Sequence, residues 1–531
     1  MAANIELPVW MPQKSDEYIQ VLEAKKVQEK LKPSLKDRFA SIIYASLIKR
    51  IWHMMPFFML HLLTSAYSEV SSIELVKICG GASFGPITKH LQKVSALVNL
   101  GMELSRSCEV IRREVKYLYL RDFLQRFAQV ARMGEDMPTF LTKEYNTLMI
   151  IYSSMMERSL TRLKRFSEAY SAILSSSFVI LVITVFTGVI WGGGMQLLSI
   201  MFPGLLFCFF LLAYAFYYYS PTVRIVSTGV TEQKVAELLK LDKPIARMTV
   251  VTNLAFVALL TLRILPKEIG LIMAALCGIP AFVLGQMGLR HVNKIQAYDE
   301  RFPEFISMLS VSLSTLDAST TFAFKDIARM DFGKLSPFVK RMQKRLELGL
   351  SPKISWQSLR QELSSEVVRS HTNTFENSIA LGSPASDIGQ LVSTSSLFVL
   401  NERRKVEEVS ALLRGIITPI HPILCGIMGL IMAIINIFVT VFDYYKGMSF
   451  PMIFVTIPSI PLIEAYFYIF IAIMTIVNAF IINQVDGQAE FTFMSQMGLL
   501  TLLGWTSYLV SLTVLSAYLQ GLVMGKLVPT I

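Results

Sequence analysis

Apolar residues gather in seven runs long enough to cross a membrane, and between these runs they recur at every third or fourth position. A spanning helix needs about 20 predominantly apolar residues. The runs are 173–191, 195–219, 248–265, 269–289, 416–442, 460–482 and 497–522. Gly192-Gly193-Gly194 separates the first two and Pro266-Lys267-Glu268 the next two, which predicts two tight hairpins joined by a polar stretch at 220–247. A shorter run at 51–66 contains His53, Pro56 and His61. Polar groups are costly in lipid, so a surface-lying or protein-packed helix is expected there rather than an eighth span. Just before it, Phe39, Ile42, Ile43, Leu47 and Ile51 share one helical face flanked by Lys36, Arg38, Lys49 and Arg50, the pattern of an interfacial helix. A core helix of a cytoplasmic domain is the plainer alternative.

The polar segments are helical in period. Leu120, Phe123, Leu124, Phe127, Val130 and Ala131 make one apolar face, and no alternating β-branched run competes with it. Both large polar segments are therefore expected to be helix bundles, and the fold class is all-α. They also resemble each other. At an offset of 248, seven of 34 positions between 101–134 and 349–382 are identical: Gly101/Gly349, Ser107/Ser355, Arg112/Arg360, Glu114/Glu362, Arg121/Arg369, Phe127/Phe375 and Gly134/Gly382. After a three-residue shift Glu157-Arg158 meets Glu402-Arg403, and each copy then runs into a spanning helix. Gly101, Gly134, Gly349 and Gly382 each stand where one helix ends and another begins, which suits a left-handed cap. The expected organisation is an N-terminal amphipathic helical region (1–86), helical copy one (87–172), two membrane hairpins (173–289), helical copy two (290–415) and three C-terminal spans (416–531).

Charge orients this plan. Of 50 Lys and Arg, 46 fall in 1–170, 220–247 and 290–414. Cations concentrate on the cytoplasmic side, so these three segments are cytoplasmic, the N-terminus with them, and the C-terminus external. Loop 483–496 carries Asp486 and Glu490 but no cation, so the last two spans are oriented by counting alone. With 53% hydrophobic and 17% charged residues, the chain falls outside ordinary soluble proteins. The five cysteines are far apart and suit neither a disulfide framework nor a metal site. No basic start followed by an apolar core marks a secretory signal in the first 50 residues.

Two helical cytoplasmic copies, each with a glycine bend and a Gly-plus-acid turn before a membrane helix, resemble the F-domain family of type II secretion. These are the polytopic platform proteins of type IV pilus-like machines. Seven spans with two hairpins between the copies resemble the archaeal branch, which serves the archaellum or adhesive pili. In copy two the turn reads Gly382-Ser-Pro-Ala-Ser-Asp387, and in copy one it is shortened to Gly134-Glu-Asp136. The resemblance implies a platform in the cytoplasmic membrane that docks a hexameric secretion-type ATPase. It further implies that the ATPase's motion is passed to pilin- or archaellin-like subunits, and that the platform itself has no catalysis. A homodimer is expected under a symmetric motor.

The residues agree by omission. Gly333-Lys334 and Gly525-Lys526 lack the leading Gly and following Ser or Thr of a phosphate loop, and the six histidines form no spaced metal set. No catalytic residue, cofactor or metal site is expected. Arg112, Arg113 and Lys116, and Lys340, Arg341, Lys344 and Arg345, are the candidate partner-binding runs. The second places like charges at i and i+4, which repel and call for an acidic partner or lipid headgroups. Nucleic acid is a poor fit, since no aromatics interleave the runs. Pro419, His421 and Pro422 make a candidate hinge, the prolines freeing backbone carbonyls that a neutral histidine could satisfy. Glu464 and Arg263, near the outer ends of their spans, are expected to snorkel. The rival reading is a secondary transporter or channel, whose repeats would lie in broken membrane helices with midplane polar sites.

Overall fold

In the computed structural model, residues 35–82, 84–191, 194–223, 225–227, 233–315, 320–445, 460–487 and 491–527 are described. The Gly192-Gly193 turn, Lys446 and residues 1–34 lie outside them, as do the side chains of 35–50 that carry the interfacial reading. Among the described residues there is no strand, only an isolated antiparallel bridge between Val226 and Ser365. Seven helices there are long and apolar enough to cross a membrane, and each overlaps one of the seven runs.

The chain divides into two compact units, Met1–Met156 with Leu381–Ser383, and Glu157–Ala380 with Pro384–Ile531. The first holds α1 (Leu35–Ala66), α2 (Ser72–Gly81), α3 (Pro86–Asn99), α4 (Leu104–Glu114), α5 (Leu118–Met133) and the start of α6 (Met137–Trp191). Its core is the 51–66 half of α1, where Phe57, Phe58, Met59, Leu60, Leu62 and Leu63 are all buried. A helix apolar all round belongs inside a protein or a membrane. Here the protein covers it: Phe58 meets Phe123 of α5 edge-on at 6.3 Å and Phe84 at 5.8 Å. The run is thus a packed core helix, the plainer of the sequence alternatives.

The second unit continues α6 and adds α7 (Gly194–Tyr219), α8 (Gln233–Thr261), α9 (Lys267–Leu276), α10 (Gly278–Asp299), α11 (Phe302–Thr315), α12 (Thr320–Ile327), α13 (Ser336–Glu347), α14 (Pro352–Leu363), α15 (Glu366–Ala380), α16 (Ala385–Tyr445), α17 (Ile460–Val485) and α18 (Thr492–Leu527). The last helix is the hub, packing on α8, α9, α10, α16 and α17. Helices in lipid gain little from the hydrophobic effect, so close approach through small residues has to hold them together. A Cβ on Gly278 would stand 2.5 Å from the Gly498 carbonyl, and one on Gly285 2.5 Å from the Ser495 backbone. Large apolar side chains left bare, among them Ile183, Phe207, Val251, Ile423 and Val514, lie on spans, where lipid covers them.

The structure extends the internal repeat. Helices α2, α4, α5 and α6 begin 248 residues before α12, α14, α15 and α16. Positive-φ glycines recur at the same offset as Gly85/Gly333, Gly101/Gly349 and Gly134/Gly382. Two expectations are corrected. Both Gly turns leave two residues before the long helix, so copy one is not shortened. The three-residue shift also falls away, because α6 and α16 are continuous and already in register.

Candidate functional site

The two basic runs lie on different elements. Arg112 and Arg113 occupy the last turn of α4, where cations meet the negative end of the helix dipole, and Arg112 donates to Gln125 at 2.7 Å. Lys116 follows the helix and is exposed. Lys340, Arg341, Lys344 and Arg345 lie on α13, whose Val339, Met342 and Leu346 are buried. The like-charge repulsion is relieved within the repeat: Arg341 reaches Glu362 of α14 at 3.1 Å and Arg345 holds its other oxygen. Lys340 and Lys344 are exposed. The pair Arg341–Glu362 has a counterpart at the same offset in Lys93–Glu114 of the first repeat.

The glycine bends match in detail. Gly101 donates to Val98 at 3.0 Å and Met102 to Leu97 at 3.1 Å, while Gly349 donates to Leu346 at 3.0 Å and Leu350 to Arg345 at 3.1 Å. These paired bonds close a helix through a left-handed residue. Just ahead, Leu100 is 83% exposed and Leu348 82%, so each repeat ends α3 or α13 on a bare leucine. Gly134 and Gly382 sit at φ +68° and +88°, and Asp136 then caps α6 by accepting from the Thr139 amide at 3.0 Å.

Pro419 and Pro422 lie inside the unbroken α16, with His421 fully buried between them. The histidine does not turn to the freed carbonyls. Its Nδ1 faces Asn478 Nδ2 at 3.0 Å and its Nε2 faces Thr475 Oγ1 at 3.2 Å, both on α17, and Asn478 in turn accepts from Tyr170 of α6. A Cβ on Gly504 of α18 would stand 2.7 Å from Nε2. Ser507 of α18 is what reaches the Pro422 carbonyl, at 2.7 Å. Sequence reading missed Tyr170, Thr475 and Asn478. Their one signal was an Asn inside an otherwise apolar run.

Residues 223 and 225–227 form a strap bonded to two other links of the second unit. The Val223 amide donates to Gly487 at 2.9 Å, Ser227 to Ser364 at 2.8 Å, and Glu366 to Ile225 at 3.0 Å. Beside it, buried Asp299 of α10 pairs with Arg403 of α16 at 2.7 Å and accepts from Ser365. Asp486 accepts from Ser410 at 2.9 Å and meets Arg414 at 3.2 Å. The 220–227 link, the α14–α15 turn and the α17–α18 link therefore share one side. At the other end, Glu464 is drawn to Lys267 and Arg263 and is 12% exposed, so it pairs instead of snorkelling. Among the described residues no group of three or more His, Cys, Asp or Glu is placed to hold a metal.

Residues 58–192 match the profile of the family described as Type II secretion system (T2SS), protein F, a stretch running from the α1 core to the end of α6. A flagella accessory protein J of Methanocaldococcus jannaschii is 22% identical over 451 residues, covering 81% of this chain and 78% of its own. A protein of the same name from Methanococcus voltae is 23% identical over 331 residues, covering 60% and 58%. No solved structure matches. The chain thus carries, over its first repeat, a segment similar to the type II secretion F-domain family, and along most of its length it is similar to flagella accessory proteins J.

Proposed function

We propose that this chain, a multi-pass membrane protein of archaellum or type IV filament machinery, is the platform on which the filament is assembled. It docks a cytoplasmic hexameric secretion-type ATPase and passes that enzyme's motion to pilin- or archaellin-like subunits, itself contributing no catalysis. The observation that carries this reading is the match of 58–192 to the F profile together with the recurrence of its helix starts 248 residues on, each copy closing directly into a long helix with a span-length apolar run. The working division is 1–86, 87–172, 173–289, 290–415 and 416–531. The N-terminus and the 220–247 and 290–415 segments face the cytoplasm, the C-terminus faces outward, and two copies share one motor.

The docking surface is the exposed side of α13, Lys340 and Lys344 with Arg341 and Arg345 behind them on Glu362, and secondarily Arg112, Arg113 and Lys116. Gly101, Gly134, Gly349 and Gly382 hold the bends that present these faces, and Pro419, His421 and Pro422 form the hinge beneath copy two. Exposed lysines steer an acidic partner more than they hold the fold, so K340E/K344E keeps the protein in the membrane. Co-purification of the secretion ATPase from its own gene cluster falls about tenfold in this variant, the cost of two repulsive contacts of roughly 0.7 kcal/mol each. Undiminished capture refutes α13 as the dock.

A further inference from the structure

Helices α6 and α16 have 55 and 61 residues without interruption, about 80 and 90 Å at 1.5 Å per residue. Each begins at the glycine turn that closes one repeat and ends among the membrane spans. A helix of that length carries displacement of one end to the other as a lever does. What arrives depends on where the lever is held.

Both are held at one buried joint. Tyr170 on α6 donates to Asn478 Oδ1, and Asn478 Nδ2 donates to His421 Nδ1 on α16 at 3.0 Å. The imidazole proton therefore sits on Nε2. It faces Thr475 Oγ1 at 3.2 Å, a hydroxyl whose own proton goes to the Ile471 carbonyl at 2.7 Å. Tyr170, His421, Thr475 and Asn478 are all fully buried. The two attachment points nearly correspond in the repeat, because the position 248 after Tyr170 is Thr418, one helical turn from His421. The levers are thus joined at matching heights through α17, which belongs to neither repeat.

With all four side chains sealed inside the protein, no water replaces a lost partner. Sliding either lever by one turn, about 5.4 Å, strands polar groups at about 1–3 kcal/mol each. Pro419 and Pro422 remove two backbone hydrogen bonds beside the joint, so α16 bends there more readily than along the rest of its length. Fixed register with soft bending describes a pivot.

We propose that the Tyr170–Asn478–His421 chain is a pivot pinning both lever helices to α17, so that the two helices tilt there as a linked pair and do not slide independently. The proposal stands on the geometry of the joint, and its test makes no use of the ATPase or the filament. Spin labels are placed through bio-orthogonal side chains at Thr161 of α6 and Glu408 of α16, both exposed, in the full chain in lipid nanodiscs. Pulsed dipolar spectroscopy reads the distance distribution between the labels. The unsubstituted joint gives one narrow distribution. Asn478→Leu removes both bonds at similar volume and broadens it about twofold, as expected when a second register becomes populated. Tyr170→Phe removes a single hydroxyl, too small a change to prevent folding, and broadens it less. Wild-type width in both variants overturns the pivot. If Asn478→Leu does not accumulate in the membrane, wild-type width in Tyr170→Phe alone overturns it.

Discussion

Buried histidines link the fold to pH at the level of single side chains. His371 on α15 donates from Nδ1 to the Val367 carbonyl at 2.9 Å and accepts at Nε2 from Ser395 at 3.2 Å, while both ring nitrogens of His61 on α1 lack a hydrogen-bond partner. Burial lowers each from its ordinary 6.5 to about 4, so both are neutral in the folded chain. Between those values the unfolded chain binds the more protons. Stability is therefore fully present above pH 6.5 and falls as pH drops towards 4, by up to about 3 kcal/mol for each histidine. The melting temperature of the detergent-solubilised protein should decline from about pH 7 to about 4.5, and the slope should flatten in His371→Gln. A melting temperature independent of pH across that window contradicts this assignment. Sequence alone shows six scattered histidines. It could not show that these two are sealed, because their burial comes from packing by distant elements.

Among the elements, the helices and their repetition were legible, since period and glycine placement are local properties. Runs of apolar residues mark the spans, and the Gly101/Gly349 and Gly134/Gly382 caps mark where helices stop. The close packing of α18 was not legible, because it depends on which helices meet. Gly278, Gly285 and Gly498 read only as glycines in apolar runs until α10 and α18 are laid together. Gly285→Ala places a methyl group 2.5 Å from the Ser495 backbone, which cannot yield as a side chain would. Overpacking of this kind costs about 1–3 kcal/mol, so the variant should melt several degrees lower in detergent. Gly521→Ala, whose Cβ meets nothing within 4 Å, serves as the control and should melt no lower than the parent. Equal melting of the two variants would show that α10 and α18 do not rely on close approach.

For the whole molecule, sidedness is argued from two independent sources. Of 50 Lys and Arg, 46 fall in three segments that counting would put on one side, but it says nothing of the 483–496 loop, which carries only acids. The structure supplies the reason: Asp486 answers Arg414 at the end of the second repeat, so its charge is spent locally. The Val223 amide donates to the Gly487 carbonyl, tying the start of the loop to the 220–247 segment. The Val223–Gly487 bond makes no use of the charge bias and puts the two links at the same end of their helices. Reporter domains fused after Lys353 and after Gly487 should therefore signal the same compartment, and a fusion after Leu265 the opposite one. A reporter active only in the cytoplasm fixes the absolute direction, with activity expected at Lys353 and Gly487. Opposite signals at those two positions would mean that α16 or α17 does not cross, and would refute the shared side. Because the strap joins a hairpin link, a repeat and the last hairpin within a few residues, one displaced fusion would unseat all three placements together.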